Sequence, residues 1–325
     1  MFISYKFPVF IIAFLLIFSC ISCRKNDKID TNPSLKLEFS SDTVLFDTVF
    51  TTIGSVTQQL LVYNNNDSKV RVSSISLAGG SQSDYRLNID GSAATVVHDV
   101  EIAAHDSLFI FVRVTVDPNN QNSPLVVSDS IIFNTNGNVQ NVKLVAWGQD
   151  AYFYKDKTIE GTVTFDSLKP HVIYGYLRVD TSGSLMITQG CRMYFHHKSY
   201  LAVSNLATLK VEGTLDHPIQ FAGDRLDPFY RDLPAQWEGI LLERGSKGNQ
   251  VNYAIIKNGT YGIIVDSLSS DPSPVLAIDN TIIQNVASSG LYAYSTKIVS
   301  TNCVIGNCGG PALSLVKGGD YDFRQ

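Results

Sequence analysis

The feature that most limits the fold is a pattern near the end of the chain. Asn258, Asn285 and Asn307 each stand two residues after an isoleucine, Ile256, Ile283 and Ile305. Each then precedes an apolar pair spaced i, i+2: Ile263/Val265, Leu291/Ala293 and Leu313/Leu315. The asparagines are 27 and then 22 residues apart. A local pattern that recurs every 20–30 residues is the mark of a solenoid. The i, i+2 spacing puts both apolar side chains on one face of a short strand, so the coils are built of strands. Asparagine suits the corner between two strands, because it tolerates a left-handed backbone and bonds neighbouring peptide groups. Stacked on successive coils, Asn258, Asn285 and Asn307 are expected to form an internal amide ladder, a structural role and not a catalytic one.

Earlier pairs extend the rhythm: Leu177/Val179, Leu185/Ile187, Met193/Phe195, Leu201/Val203, Leu209/Val211 and Ile219/Phe221. Before Gly148-Gln149-Asp150 the pattern is different. The runs LKLEF, QQLLVYN, VRVSSISL, YRLNI, SLFIFVRVTV, SIIFN and VKLVAW are divided by turn clusters such as NNNDS, AGGSQSD and DPNNQN. About seven short strands with regular turn signals predict an antiparallel sandwich over residues 35–149. Ser107–Val114 reads as its central strand, with Leu60, Val62, Val70 and Val72 as partners. No long segment has the 3.6-residue period of a helix, so the chain is expected to be all-β.

Composition removes several function classes. Hydrophobic residues at 44% exclude a disordered polar chain. Lys+Arg 25 against Asp+Glu 30 leaves a net charge of −5, with no basic stretch to hold nucleic acid. No cofactor motif and no Cys/His spacing for a metal occurs.

Residues 1–23 read MFISYKFPVFIIAFLLIFSCISC. Lys6 precedes an apolar run from Phe7 to Phe18, shorter than the roughly 20 residues a membrane-spanning helix needs. A short apolar run followed by small residues marks a secretory signal. Here it leads into Cys20 and Cys23, and the arrangement resembles a bacterial lipoprotein signal, in which the cysteine is lipidated. Cys20 has the better branched residue three positions before it. Cys23 has the better preceding pair and is followed at once by polar RKNDKID, which favours it. Several acyl chains anchor stably where one does not. Residues 24–34 are expected to be a flexible tether, and the protein to be exported to the outer membrane, facing the cell surface or the periplasm. Cys191, Cys303 and Cys308 are too few for a disulfide scaffold and are expected to pack as small core residues.

The region from DTVFTTIGSVTQQLLVYN to VKLVAWGQDA resembles the immunoglobulin-like domains of bacterial surface lipoproteins, which serve as spacers or interaction modules. LKVEGTLDHPIQFAG, QWEGILL and NYAIIKNGTYGIIV resemble the right-handed parallel β-helix, the pectate-lyase-like architecture. That resemblance implies a right-handed parallel β-helix over residues 150–325. It leaves function open, because this architecture hosts lyases, hydrolases, adhesins and inert stalks. The tail Tyr321/Phe323 reads as the start of a further coil, so the helix is expected to be incomplete at its C-terminus.

An enzyme acting on polysaccharide needs clustered carboxylates on neighbouring coils. The outward rows Ile264, Tyr292, Ser314 and Lys257, Gln284, Gly306 contain none. The remaining candidate is the insertion GDRLDPFYRDLPAQW, residues 223–237. It gathers Asp224, Arg225, Asp227, Arg231 and Asp232 beside Phe229, Tyr230 and Trp237. Charged groups and aromatic rings on a loop suit a sugar ligand. The alternative for the same loop is a cover that buries Phe229 and Trp237. His196 and His197 are adjacent on a strand and point to opposite faces, which argues against a shared metal. A further repeat, Asp-Ser/Thr-apolar, occurs at Asp42, Asp47, Asp106, Asp129, Asp166 and Asp266. It resembles a periplasmic O-glycosylation acceptor and also fits ordinary turn chemistry. The function expected is a lipid-anchored surface display, adhesion or glycan-binding protein whose partners are the membrane and a polysaccharide or another envelope protein. The alternative is a β-helix polysaccharide lyase or glycoside hydrolase.

Overall fold

A computed structural model of the chain describes residues 28–51, 54–117, 125–266 and 273–325. Cys20, Cys23 and the signal segment lie outside these residues, as do Ser267 and Leu268. The chain is all-β, with antiparallel sheets in its N-terminal part and a parallel β-solenoid in its C-terminal part. It divides into two compact units. The first takes its described residues up to Phe46, with Ser55–Thr115 and Val127–Ala146. The second takes Asp47–Gly54, Val116–Val126 and Trp147–Gln325.

In the first unit one sheet runs Glu38–Phe39, Gln58–Asn64, Asp106–Val114, Tyr85–Ile89, Ser92–Ala94. The other includes Lys69–Leu77, flanked by Val96–Ile102 and by Leu125–Thr135. Asp106–Val114 is central in its sheet, pairing with Gln58–Asn64 and with Tyr85–Ile89. Its alternation is the physical reason: Leu108, Ile110, Val112 and Val114 are buried, whereas Phe109 and Phe111 face outward. Phe39 meets Phe133 at 4.8 Å and Phe46 meets Tyr85 at 5.8 Å, so aromatic rings tie the two sheets. Residues expected to be a loose tether are partly structured. Ile29–Asp30 pairs with Lys69 and Val70, and the Asn136 amide donates to the carbonyls of Asp30 and Asn32.

The second unit winds through three parallel sheets with seven strands in each, hence seven coils. The first sheet contains Arg192–Phe195, Ile219–Gly223, Ala254–Lys257, Ile282–Val286 and Val304–Cys308. The second contains Tyr200–Val203, Gly239–Leu242 and Ile263–Asp266, then the first halves of Leu291–Thr301 and Leu313–Arg324. The third contains Thr162–Phe165, Ser184–Thr188, Thr208–Glu212, Asn249–Asn252 and Leu276–Asp279, then the second halves of the same two long strands.

The apolar pairs stack in register: Ile263, Leu291 and Leu313 form one row, Val265, Ala293 and Leu315 the next. Leu177, Leu201, Ile240, Ile263 and Leu291 are buried, and each such side chain contributes about 1.5–3 kcal/mol of transfer free energy. On the seventh coil Leu313 and Leu315 are 39% and 44% exposed. Cys191, Cys303 and Cys308 are free thiols, the first buried and the others packed against the core.

The corner after the first sheet carries the asparagines. Asn258, Asn285 and Asn307 have φ of 67°, 56° and 50°, the left-handed region. Asn307 Nδ2 donates to Asn285 Oδ1. The next step departs from the expected ladder, because Asn285 Nδ2 donates to Asp232 Oδ1 at 3.0 Å. Asn258 Nδ2 instead donates to the carbonyls of Arg231 and Leu233, at 3.1 and 2.9 Å. A second ladder stands at the corner after the third sheet. Asn302 Nδ2 donates to Asn280 Oδ1 at 2.8 Å, and Asn280 Nδ2 to Asn252 Oδ1 at 2.9 Å. After the first corner the coils enter the second sheet through glycine. A Cβ on Gly262 would lie 2.3 Å from the Gly290 carbonyl oxygen.

Candidate functional site

The 224–236 loop leaves the fourth coil at the asparagine corner, since Gly223 ends the strand Ile219–Gly223. Its root is anchored by Leu226, which packs on the buried outer row Val172, Tyr194 and Ala222. Its far end is clamped from the two coils below. Lys257 Nζ donates to Arg231 O at 3.1 Å, beside the bonds from Asn258 and Asn285 already described. Gln236 Nε2 donates to Leu233 O at 2.8 Å. The loop and the asparagines, separate features in the sequence, are one structure.

Within the loop Arg225, Asp227 and Tyr230 come together. The Arg225 guanidinium carbon lies 3.8 Å above the Tyr230 ring, and Arg225 Nε is 3.8 Å from Asp227 Oδ2. Phe229 stands edge-on to Tyr230 at 5.0 Å and is 72% exposed. Arg231 is exposed, and its carbonyl accepts from Lys257 and Asn258. Trp237 is placed differently from a ligand-binding ring. It is 1% exposed, stacks on Phe195 at 4.2 Å and donates Nε1–H to Lys257 O at 2.8 Å. The solenoid core takes its faces, so it offers none to a sugar.

Asp224 turns away from the loop tip to a partner the sequence did not suggest. His196 Nδ1 lies 2.7 Å from Asp224 Oδ2, and the Tyr174 ring stacks on His196 at 4.4 Å. Register creates this group. Phe195 pairs with Ile173 and with Gly223, so the residues after them, Tyr174, His196 and Asp224, stand on three successive coils. Burial raises the Asp224 pKa above the usual carboxylate range, while the bond from His196 opposes that rise. Burial, with Asp224 nearby, pushes the Tyr174 phenol up to about 12, so it stays protonated. His196 is half-exposed, with Nδ1 held by a carboxylate. That is the geometry of an oriented base. Among the described residues no hydroxyl or thiol side chain bonds to His196, and no group of three His, Cys, Asp or Glu is placed to hold a metal ion.

The outward rows align in register as Ile264–Tyr292–Ser314 and Lys257–Gln284–Gly306. Four of the Asp-Ser/Thr repeats bond their own backbone, Asp47 and Asp129 within strands, Asp106 at a strand start and Asp166 just before a bend. Asp47, Asp106 and Asp129 each accept from the next residue's N–H at 2.7–2.8 Å, and Asp166 from Leu168 N at 3.0 Å.

No protein-family model and no curated protein matches the chain. Among solved structures it is similar to a family 123 glycoside hydrolase from Clostridium perfringens, at TM-score 0.26 and 9% identity over 38% of this chain. It is also similar to a PapD-like domain of human CEP192, at 0.24 and 12% over 37% of this chain and 87% of that domain. A protein of unknown function from Porphyromonas gingivalis W83 gives 0.25 and 12% over 38% of this chain and 60% of that one. The chain spans 31% of the length of the hydrolase. Likenesses at these TM-scores carry no argument about fold or function.

Proposed function

We propose that the chain is a lipid-anchored envelope protein whose solenoid presents the 224–236 loop as a glycan-binding surface, without chemical turnover. The observation that carries the reading is Phe229, 72% exposed on a loop clamped by the corner residues of the two coils below. A large apolar ring held in water forgoes about 2–3 kcal/mol of burial. Such a ring on a rigid scaffold suits a partner that covers it. Tyr230 and the Arg225 guanidinium supply a second ring and hydrogen-bond donors at its edge. Lipidation at Cys23, or at Cys20, would hold the protein in the outer membrane, at the surface or the periplasmic face. The test is a glycan array probed with the intact chain and with Phe229→Ala. Retention that depends on Phe229 supports the reading, and retention indifferent to it removes the loop from the account.

The His196–Asp224 pair favours a second reading, a β-helix enzyme acting on polysaccharide, with His196 as base. Chain cleavage that is lost in His196→Gln while glycan retention persists would establish that reading in place of the first.

A further inference from the structure

The first coil of the solenoid holds a cavity of about 630 Å³ that shares no residue with the 224–236 loop. That volume lies within the range of small-molecule sites, roughly 300–1,000 Å³. Its wall is a stack of rings from two coils. Tyr154 lies on Phe165 at 5.2 Å and 19°, and Phe165 on His171 at 4.3 Å and 9°. Hydrogen bonds lock the stack. His171 Nε2 is 2.9 Å from Asp166 O, which can only accept, so that nitrogen carries the proton. Nδ1 is then the acceptor, and Tyr154 donates its hydroxyl proton to it across 3.0 Å. Burial lowers the His171 pKa, and both nitrogens are occupied, so the imidazole is a wall and not a reacting group.

The rim is polar and carries both signs. Lys157 and Glu160 are exposed, and Asp166 lines the same opening. Tyr152 closes the edge at 39% exposure, with the Lys169 ammonium 5.9 Å from its ring. One lysine against two carboxylates in the lining, with Lys169 paired to Asp150 at 3.6 Å, gives no net attraction for a phosphate or a polyanion, and a polar rim disfavours a purely aliphatic ligand. The exposed Tyr152 ring and the half-buried Tyr154, set among carboxylates, hydroxyls and an ammonium, match a pyranose, which has an apolar face and an edge of hydroxyls. Rings already locked lose little freedom on binding, which lowers the entropic cost of association.

We propose that this cavity is a second glycan subsite, one that takes a neutral oligosaccharide with a pyranose against the tyrosines and its hydroxyls on Glu160, Asp166 and Lys157. The proposal extends the glycan-binding reading to a new place but does not use the loop. The experiment is calorimetric titration of the full chain in detergent with cellohexaose, mannohexaose and, as a charged comparison, hexagalacturonate. In the Phe229→Ala background, which takes the loop's contribution away, saturable binding of a neutral hexasaccharide is expected, weakened about tenfold or more by adding Tyr152→Ala or Glu160→Gln. Glu160 is exposed, so its variant keeps the fold even if Tyr152→Ala does not. No binding by either neutral sugar, binding unmoved in Glu160→Gln, or preference for the uronate would overturn the proposal. Binding already lost in Phe229→Ala would assign the sugar to the loop and leave this cavity without it.

Discussion

Asn285 is the residue on which the loop and the coil stack both depend. It sits in the left-handed region at φ 56°, is 7% exposed, donates to Asp232 and accepts from Asn307. Replacing it with alanine removes two side-chain hydrogen bonds, each worth about 1 kcal/mol net. It also puts a residue with a Cβ and no compensating amide where a left-handed backbone costs roughly 1–2 kcal/mol. The Asn307 amide is left without its acceptor as well. The expected loss is about 2–4 kcal/mol for Asn285→Ala. Asn285→Gly relieves the backbone part and should lose about 1 kcal/mol less. Asn285→Asp keeps an acceptor for Asn307 but faces Asp232 with a like charge, so it should recover stability as the pH falls through the carboxylate range. Urea unfolding gives the free energies. Hydrogen exchange at the Asn258 amide, which donates to Asn285 O at 3.0 Å, reports the corner itself. Equal losses in the Ala and Gly variants would show that no backbone strain is relieved there. A loss below about 0.5 kcal/mol in both would refute the idea that this corner carries stability.

Three further outcomes follow from the same geometry. Trp237→Phe keeps the stack on Phe195 but drops the bond to Lys257 O and should lose about 1 kcal/mol, whereas Trp237→Ala opens the core and should lose about 3–5 kcal/mol in denaturant titration; equal small losses would place the ring outside the core. Burial holds His171 neutral below its ordinary value of 6.5, so the folded chain binds this proton less readily than the unfolded one. Stability should therefore fall as the pH drops from 6.5 towards the folded value, and His171→Phe should flatten that slope. Asp224 has the opposite sign: its raised pKa means stability is lost as the pH rises from 3.8 through the folded value, and Asp224→Asn should remove that slope in the same titration.

How far the sequence revealed this molecule depends on which contacts follow a period. The rows through Ile263, Leu291 and Leu313 were legible because those strands keep one pattern of apolar pairs beside their asparagines. The second ladder, Asn252, Asn280 and Asn302, was equally regular, each member five or six residues before its counterpart in the first. The unequal coil lengths hid it, although the shared step of 22 residues from Asn280 to Asn302 and from Asn285 to Asn307 was the available signal. The His196–Asp224 contact was hidden by a register shift. Matching the pairs Met193/Phe195 and Ile219/Phe221 sets His196 beside Ala222. In fact Met193 pairs with Phe221 and Phe195 with Gly223, which brings Asp224 to His196. Trp237 read as a loop aromatic, yet it is buried three residues before Ile240, and Gly239 at φ 124° makes the change of parity between them. The N-terminal ring stack has no sequence signature, because Tyr154, Phe165 and His171 meet across coils at unrelated spacings.

The most direct test of the account is a titration in which binding and turnover are read from one sample. The intact chain is incubated with a polysaccharide that it retains, and affinity electrophoresis is run beside an assay for new reducing ends and unsaturated products. Retention with no product is expected, and weaker retention in Phe229→Ala with Tyr230→Ala. Products that accumulate with the wild type and vanish in His196→Gln, while retention is unchanged by the loop substitutions, would contradict the account.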